Sequence, residues 1–182
     1  MKKGKLIVVS GPSGVGKDTI VAKYLENNDA HLSISATTRL PREGEENNKD
    51  YYFLTKEEFE DRINKDDFLE YATYNNCYYG TPKSSVISYL EKGINVILVI
   101  EVKGAFQIKE KLKESVLVFI MPPSLDELKS RLKGRNTDSD EMINNRLIIA
   151  EKEMNLKHRY DYQILNDDIN KAVSELKEII EK

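Results

Sequence analysis

The chain has little of what marks several large classes of protein. Its 182 residues include one cysteine, Cys77, and two histidines, and they include no tryptophan. A single cysteine excludes a disulfide within the chain, and one cysteine with two histidines offers too few soft ligands for a zinc site. We therefore interpret Cys77 as a small, half-buried packing residue.

Long apolar runs and a strong excess of one charge are also missing. The longest apolar runs, at 6–9 and 96–100, are far shorter than the ~20 residues of a membrane-spanning helix, and no signal-type apolar stretch follows the Met-Lys-Lys start. Lysine and arginine number 28 against 31 acidic residues, which excludes the basic footprint of a nucleic-acid-binding protein. We expect a globular, cytoplasmic protein with neither membrane nor nucleic acid as a partner.

Arginine is scarce but clustered. Seven arginines stand against 21 lysines, and five of the seven fall into two groups, Arg39 with Arg42, and Arg131 with Arg135 and Arg146. The planar guanidinium forms bidentate pairs with phosphate that lysine cannot form. The clustering therefore indicates small phosphorylated ligands.

The pattern of the remaining chain predicts an α/β fold. Runs rich in aliphatic and β-branched residues, at 5–9, 95–100, 116–121 and 162–165, alternate with segments of helical period. This alternation is typical of a parallel sheet flanked by helices. A final helix is predicted over 168–180.

Two segments depart from this pattern. Residues 35–81 contain a long polar loop, short strands near 51–54 and 68–74, and one helix, which predicts an inserted lobe. Residues 126–147 contain a polar interruption at 134–140, which predicts a lid. We expect one domain over 1–182, with a core at 1–34 and 82–182.

Local signals predict where several helices begin and end. Thr55-x-x-Glu58 and Ser124-x-x-Glu127 are capping boxes. Thr81-Pro82 predicts an N-cap followed by a proline at the first helical position, and Gly93 predicts the end of the same helix.

A glycine-rich loop follows the first predicted strand and precedes a helical segment. It consists of Gly11, Pro12, Ser13, Gly14, Val15, Gly16, Lys17, Asp18 and Thr19. In such a loop the backbone N–H groups cradle phosphates and the lysine reaches the β and γ oxygens. The usual serine or threonine ligand of Mg²⁺ is replaced by Asp18. Either Asp18 or Thr19 contacts the metal, or Asp18 faces away and complements the helix dipole.

The loop alone is compatible with a GTPase, an ATPase or a kinase, and further motifs narrow the choice. These are Ser35-Ala-Thr-Thr-Arg39-Leu-Pro-Arg42, Lys49-Asp50-Tyr51-x-Phe53, Phe68-Leu-Glu70, Tyr78-Tyr79-Gly80-Thr81, and the segment from Arg131 to Arg146. Together they make nearly the whole chain resemble the guanylate kinase family. The resemblance implies a P-loop core with an inserted GMP-binding lobe and a short helical lid. It also implies Mg²⁺-assisted transfer of the γ-phosphoryl group of ATP to GMP or dGMP in purine nucleotide metabolism.

The resemblance also implies roles for individual residues. Glu70 matches the carboxylate that accepts guanine N1–H and N2–H₂. The other GMP-binding positions are Ser35 and Thr81 beside the base, Arg39, Arg42, Tyr51 and Tyr79 at the phosphate, and Glu101 near the acceptor and metal. ATP is assigned to residues 11–19 and Asn166, and catalysis to Lys17, Arg39, Arg131, Arg135 and Arg146.

The sequence departs from the family pattern at several positions and leaves alternatives open. Val99 stands where relatives have a second acid, Lys103 where they have glutamine, and Asn136 where they have glycine. Glu70 is alternatively a solvated strand carboxylate, and the arginines are alternatively surface ion pairs. A P-loop kinase for another small phosphate and a non-catalytic guanylate-kinase-like binding module are the competing functions. The oligomeric state does not follow from the sequence.

Overall fold

A computed structural model describes residues 3–74, 76–134 and 139–182. Within these residues the chain alternates strands and helices. The strands are β1 Leu6–Ser10, β2 His31–Leu32, β3 Ala36–Thr37, β4 Tyr52–Phe53, β5 Phe68–Tyr74, β6 Cys77–Pro82, β7 Val96–Val99, β8 Val116–Met121 and β9 Tyr162–Leu165. The α-helices are α1 Lys17–Leu25, α2 Lys56–Asn64, α3 Ser84–Glu91, α4 Val102–Lys111, α5 Leu125–Gly134, α6 Asp140–Met154 and α7 Ile169–Glu181. A short 3₁₀ helix spans Lys157–Arg159.

The strands form two sheets. Five strands are ordered β2-β7-β1-β8-β9, and the pairs β2–β7, β1–β8 and β8–β9 are parallel. Four strands are ordered β4-β3-β6-β5, in which β6 runs antiparallel to both of its neighbours. The predicted α/β class with a parallel central sheet is confirmed. Its physical reason is that strands made of aliphatic runs can be buried on both faces of such a sheet.

The chain divides into two compact units. Unit 1 comprises residues 1–6, 30–98 and 103–115. Its four-stranded sheet packs on α2 through stacked rings, with the centroids of Phe59 and Phe68 4.3 Å apart and those of Phe59 and Tyr78 5.0 Å apart. Phe59 and Phe68 are buried. This aromatic cluster fixes the sheet that carries the predicted lobe residues.

Unit 2 comprises residues 7–29, 99–102 and 116–182. Strands β1, β8 and β9 form its centre, with Ser10 opposite Phe119 and Met121 opposite Leu165. All five residues of β1 are buried. Helix α7 begins at the N-cap Asp168, whose carboxylate accepts from the Lys171 N–H at 2.9 Å, as the predicted helix required. Parallel strands bring their carboxyl ends to one edge, where the loop after β1 lies.

The predicted helix boundaries had different outcomes. The Thr55 capping box is confirmed in both directions, and the Ser124 hydroxyl accepts from the Glu127 N–H at 3.0 Å. Gly93 ends α3 at a φ of 79°. The predicted N-cap at Thr81 was wrong, because β6 continues to Pro82 and Lys83 stands at the N-cap of α3.

No helix in the described ranges is both long and apolar enough to cross a membrane.

Candidate active site

The glycine-rich loop lies between β1 and α1, in the predicted order of strand, loop and helix. Gly11 has a φ of +141°, and a Cβ there would lie 2.4 Å from the backbone oxygen of Ile120 in β8. Gly16 has a φ of +98°, and a Cβ there would lie 2.6 Å from Nδ2 of Asn166. Both positions therefore require glycine, for backbone conformation and for space.

The N-terminus of α1 lies where this loop ends. Gly16 is the N-cap and supplies no side-chain acceptor to the first N–H groups of the helix. Such N–H groups, with the field of the helix, favour an anion. The Lys17 ammonium donates to the backbone oxygens of Gly11 at 2.6 Å and Pro12 at 3.0 Å. The Lys17 side chain is thus hydrogen-bonded to the backbone of the first two residues of the loop.

Two predicted residues of unit 2 converge on the back of the loop. The side-chain amide of Asn166, which is 7% exposed, donates to the Val15 backbone oxygen at 2.7 Å. Arg131 donates to the same Val15 oxygen at 3.4 Å and to the Asn166 backbone oxygen at 3.1 Å. Its Nε also donates to Glu127 at 3.0 Å. In this structure both residues therefore support the loop backbone.

Arg146, the other described member of the cluster that contains Arg131, also contacts the loop. Arg146 in α6 donates through Nη1 to the Ser13 hydroxyl at 3.0 Å. Arg135 and Asn136 lie outside the described residues. The structure therefore brings Arg131 and Arg146 to the loop.

Sequence reasoning missed one acid of this site, Glu153. It lies in α6, and the pKa of its carboxyl is raised to about 7, mainly by burial and also by Glu101, while Lys17 acts to lower it. Glu151, two residues away on the same helix, is exposed. Nothing in the local sequence separates these two glutamates, so only the tertiary structure identifies Glu153. The environment of Lys17 therefore contains a second carboxyl besides Glu101.

In unit 1 the predicted base-recognition residues meet across β5 and β6. Glu70 stands opposite Thr81, and the Thr81 hydroxyl donates to Glu70 Oε1 at 2.7 Å. Glu70 is 5% exposed and Thr81 is fully buried. Burial raises the pKa of the Glu70 carboxyl, and the Thr81 hydrogen bond and Lys111 oppose that rise. The alternative of a solvated strand carboxylate is thereby excluded.

The predicted phosphate-binding residues of unit 1 form a second group. Arg39 makes a bidentate pair with Glu45, with both N–O distances 2.9 Å, and its guanidinium lies 5.3 Å from the centre of the Tyr51 ring. The rings of Tyr51 and Tyr79 are 6.3 Å apart in an edge-on arrangement. The hydrogen bond from Arg39 holds the pKa of the Glu45 carboxyl below its usual range.

Two further residues of unit 1 were predicted to contact GMP, Arg42 at the phosphate and Ser35 beside the base. The Arg42 side chain is exposed, while its backbone N–H donates to Glu45 Oε2 at 2.7 Å. Ser35 is half-buried, and its backbone oxygen accepts from the Tyr52 N–H at 2.9 Å. Arg39, Tyr51 and Tyr79 are thus assembled, whereas the Arg42 side chain stands in solvent.

The oxygen donors near the first turn of α1 suit Mg²⁺. Asp18 and Thr19 are exposed there, and Glu101 is exposed two residues after β7. Among the residues that the structure describes, no three His, Cys, Asp or Glu side chains are grouped to hold a metal. Mg²⁺ at nucleotide sites typically takes one or two protein ligands and completes its shell with phosphates and waters. A lone Asp18 carboxylate or Thr19 hydroxyl is therefore a fitting donor.

Comparisons with known proteins agree with this geometry. The family model for guanylate kinase matches residues 3–182. The chain is 51% identical over 180 residues to the guanylate kinase of Clostridium tetani, covering 99% of this chain and 86% of that protein. The crystal structure of guanylate kinase from Anaplasma phagocytophilum superposes with a TM-score of 0.82 at 34% identity, covering 100% of this chain and 86% of that one.

A more distant structure shares the fold alone. Shikimate kinase from Bacteroides thetaiotaomicron matches with a TM-score of 0.50 at 15% identity, covering 98% of this chain and 99% of that one. The similarity to guanylate kinases is much stronger, because sequence identity is about 50% over nearly the full chain and the family model matches as well. The chain belongs to the guanylate kinase family.

Proposed function

We propose that this protein transfers the γ-phosphoryl group of ATP to GMP or dGMP, giving ADP and GDP or dGDP, in purine nucleotide metabolism in the cytoplasm. Its family and its 51% identity to a curated guanylate kinase support phosphorylation of GMP by ATP as the activity. The observation that carries the choice of base is the buried Glu70 carboxyl, fixed by Thr81 at 2.7 Å. Residues 35–81 would form the GMP-binding lobe and residues 126–147 the lid.

Base selection follows from the chemistry of a buried carboxylate. Guanine presents N1–H and N2–H₂ as adjacent donors, and a carboxylate offers two acceptor oxygens. Adenine has no such pair, so its binding would leave the buried carboxylate without donors from the base, at a cost of about 1–3 kcal/mol or more. Ser35 and Thr81 would complete the contacts to the base. This favours GMP over AMP.

The acceptor phosphate would bind to the second group of unit 1. Arg39, Tyr51 and Tyr79 are assembled around one guanidinium, and Arg42 would add its charge. Charged and hydroxyl donors together suit a phosphate dianion. Glu45 then keeps Arg39 oriented until the phosphate arrives.

ATP would bind to unit 2. The N–H groups of residues 11–19 would cradle its phosphates, and Lys17 would exchange the Gly11 and Pro12 oxygens for phosphate oxygens. Asn166 would lie near the adenine, Glu101 near the acceptor, and Arg131, Arg135 and Arg146 would stabilise the charge of the group in transfer. Mg²⁺, when bound by Asp18 or Thr19, would neutralise part of the phosphate charge.

No general base is needed in this scheme. The attacking oxygen of GMP already carries negative charge, so these residues only align the two phosphates and stabilise the transition state. This explains why the site contains lysine and arginines rather than a nucleophile with its base.

The test is a coupled assay of ADP formation with ATP and, in turn, GMP, dGMP, IMP and AMP. We expect turnover with GMP and dGMP and a strong preference over AMP. Lys17→Met should reduce kcat by roughly two to four orders of magnitude, since it removes about 3–5 kcal/mol of charge stabilisation. Lys177→Met, which alters an exposed lysine of α7, is the matched control and should leave kcat unchanged.

Two outcomes would refute the proposal. A wild-type protein without GMP turnover, or with equal use of AMP, overturns guanylate kinase activity. A folded Lys17→Met variant within threefold of wild type removes the loop from the reaction.

A further inference from the structure

Strand β5, which carries Glu70, has one backbone edge that pairs with no other strand of the described residues. It is the last strand in the order β4-β3-β6-β5. An edge strand leaves a row of N–H and C=O groups without ladder partners. In β5 this row is met by side chains of α4.

Two residues of α4 bond to that row. Gln107 Nε2 donates to the Tyr71 backbone oxygen at 3.0 Å, and the Tyr71 N–H donates to Gln107 Oε1 at 3.3 Å. Lys111 Nζ donates to the Phe68 backbone oxygen at 3.3 Å. Residues four apart in a helix lie on one face, so a single face of α4 holds the strand at two points.

These two points bracket Glu70. The backbone of β5 is irregular at this place, since the register with β6 shifts between Phe68 and Glu70. A bulge disrupts the ladder and re-aims the neighbouring side chain. The direction of the Glu70 carboxyl therefore depends on a stretch of backbone that strand pairing alone does not fix, and the contacts from α4 hold both of its ends.

We propose that Gln107 and Lys111 are positioning residues for Glu70, and so determine the specificity for the guanine base without touching it. This rests on the proposed function of Glu70 as the acceptor for guanine N1–H and N2–H₂. Gln107 acts on the backbone on one side of Glu70. Lys111 acts on the other side and adds a positive charge that favours the carboxylate form.

The first variant to test is Gln107→Met, which keeps the length of the side chain and removes both hydrogen bonds. We expect KM for GMP to rise roughly 5- to 30-fold, as for the loss of two neutral hydrogen bonds. KM for ATP and kcat should stay within about twofold, and the GMP/AMP preference should narrow. Glu110→Gln, an exposed residue of the same helix, should change none of these values.

Lys111 provides an independent pair of variants. Lys111→Met should raise KM for GMP, whereas Lys111→Arg keeps a charged donor and should restore it to near the wild-type value. Circular dichroism and thermal unfolding identify any variant that fails to fold. Equilibrium binding of GMP to whichever of these variants is folded then gives the same comparison without turnover.

Coupling to Glu70 separates positioning from a merely structural role. If Gln107 acts through Glu70, its substitution should have little further effect on GMP use in the Glu70→Gln variant, so the two changes are not additive. Additive effects of the two substitutions would overturn this inference. So would a Gln107→Met variant whose KM for GMP and whose preference for GMP over AMP are unchanged. In either case, GMP turnover by the wild type would leave the proposed function standing. Absence of GMP turnover in the wild type would overturn both.

Discussion

Replacement of Glu70 by glutamine should weaken the use of GMP and change stability in a pH-dependent way. The glutamine has nearly the same shape, but it places an NH₂ group where one carboxylate oxygen stood. One guanine donor then meets a donor instead of an acceptor. At 5% exposure water cannot replace the lost partner, and an unpaired buried donor costs about 1–3 kcal/mol, or more when a charged partner is lost. We therefore expect kcat/KM for GMP to fall roughly tenfold to a few hundredfold.

The stability effect has a definite sign. Burial raises the pKa of Glu70 in the folded protein, above its value in the unfolded chain. Its contribution to the free energy of unfolding is then fully present below the unfolded pKa and is lost as the pH rises through the folded pKa. Glutamine does not titrate. The stability of Glu70→Gln relative to wild type should therefore increase as the pH rises through that folded pKa.

Two assays measure these effects. Steady-state kinetics with GMP, IMP and AMP give the base preference, and urea unfolding at a series of pH values gives the stability difference. Glu114→Gln, which alters an exposed carboxylate of unit 1, controls for the loss of one negative charge. An unchanged GMP/AMP ratio would remove Glu70 from base recognition, and a stability difference independent of pH would refute the role of its burial.

Three further changes test unit 2. Burial raises the pKa of Glu153 to about 7, so the stability of the wild type should fall as the pH rises through about 7. Glu153→Gln should flatten this pH dependence of the free energy of unfolding, measured by urea unfolding. The same pH dependence in both proteins would contradict the prediction. Gly11→Ala places a Cβ 2.4 Å from the Ile120 oxygen, so both Tm and turnover should fall, turnover by at least about tenfold. A Tm equal to that of the wild type, measured by calorimetry, would show that the loop accommodates the Cβ. Asp18→Ser restores the usual hydroxyl, and activity should be kept at a lower Mg²⁺ concentration; complete loss would make Asp18 an essential ligand.

The core strands were predictable because their signals are local. The runs predicted at 116–121 and 162–165 have the bounds of β8 and β9. Strand β8 gives the clearer signal, because its inner residues are all buried and it is apolar throughout. Strands β2 and β3 have two residues each, which is too short for any periodicity. Their existence depends on their partner strands, and so it was not predictable.

At Thr81 a local signal competed with a tertiary contact and lost. The pair Thr81-Pro82 is a good helix start on its own. Strand β6 nevertheless continues through Pro82, and the Thr81 hydroxyl donates to Glu70 instead of capping α3. Proline is tolerated at the end of a strand, where its missing N–H breaks no further pairing. The Thr81 side chain, which the family resemblance places beside the base, is thus not available to cap α3.

The arginines show what residue type indicates and what it leaves open. Arg39 is paired with Glu45, Arg131 with Glu127 and two backbone oxygens, and Arg146 with Ser13. The planar fork that suits phosphate suits a carboxylate equally well, so the sequence identifies the donors but not the acceptors that they hold without ligand. Under the proposed function a phosphate at Arg39 exchanges one anion for another. Because Glu45 already orients the guanidinium, less side-chain freedom is lost on binding. The ion pair and the phosphate site are then two states of one donor group, so finding the first does not argue against the second.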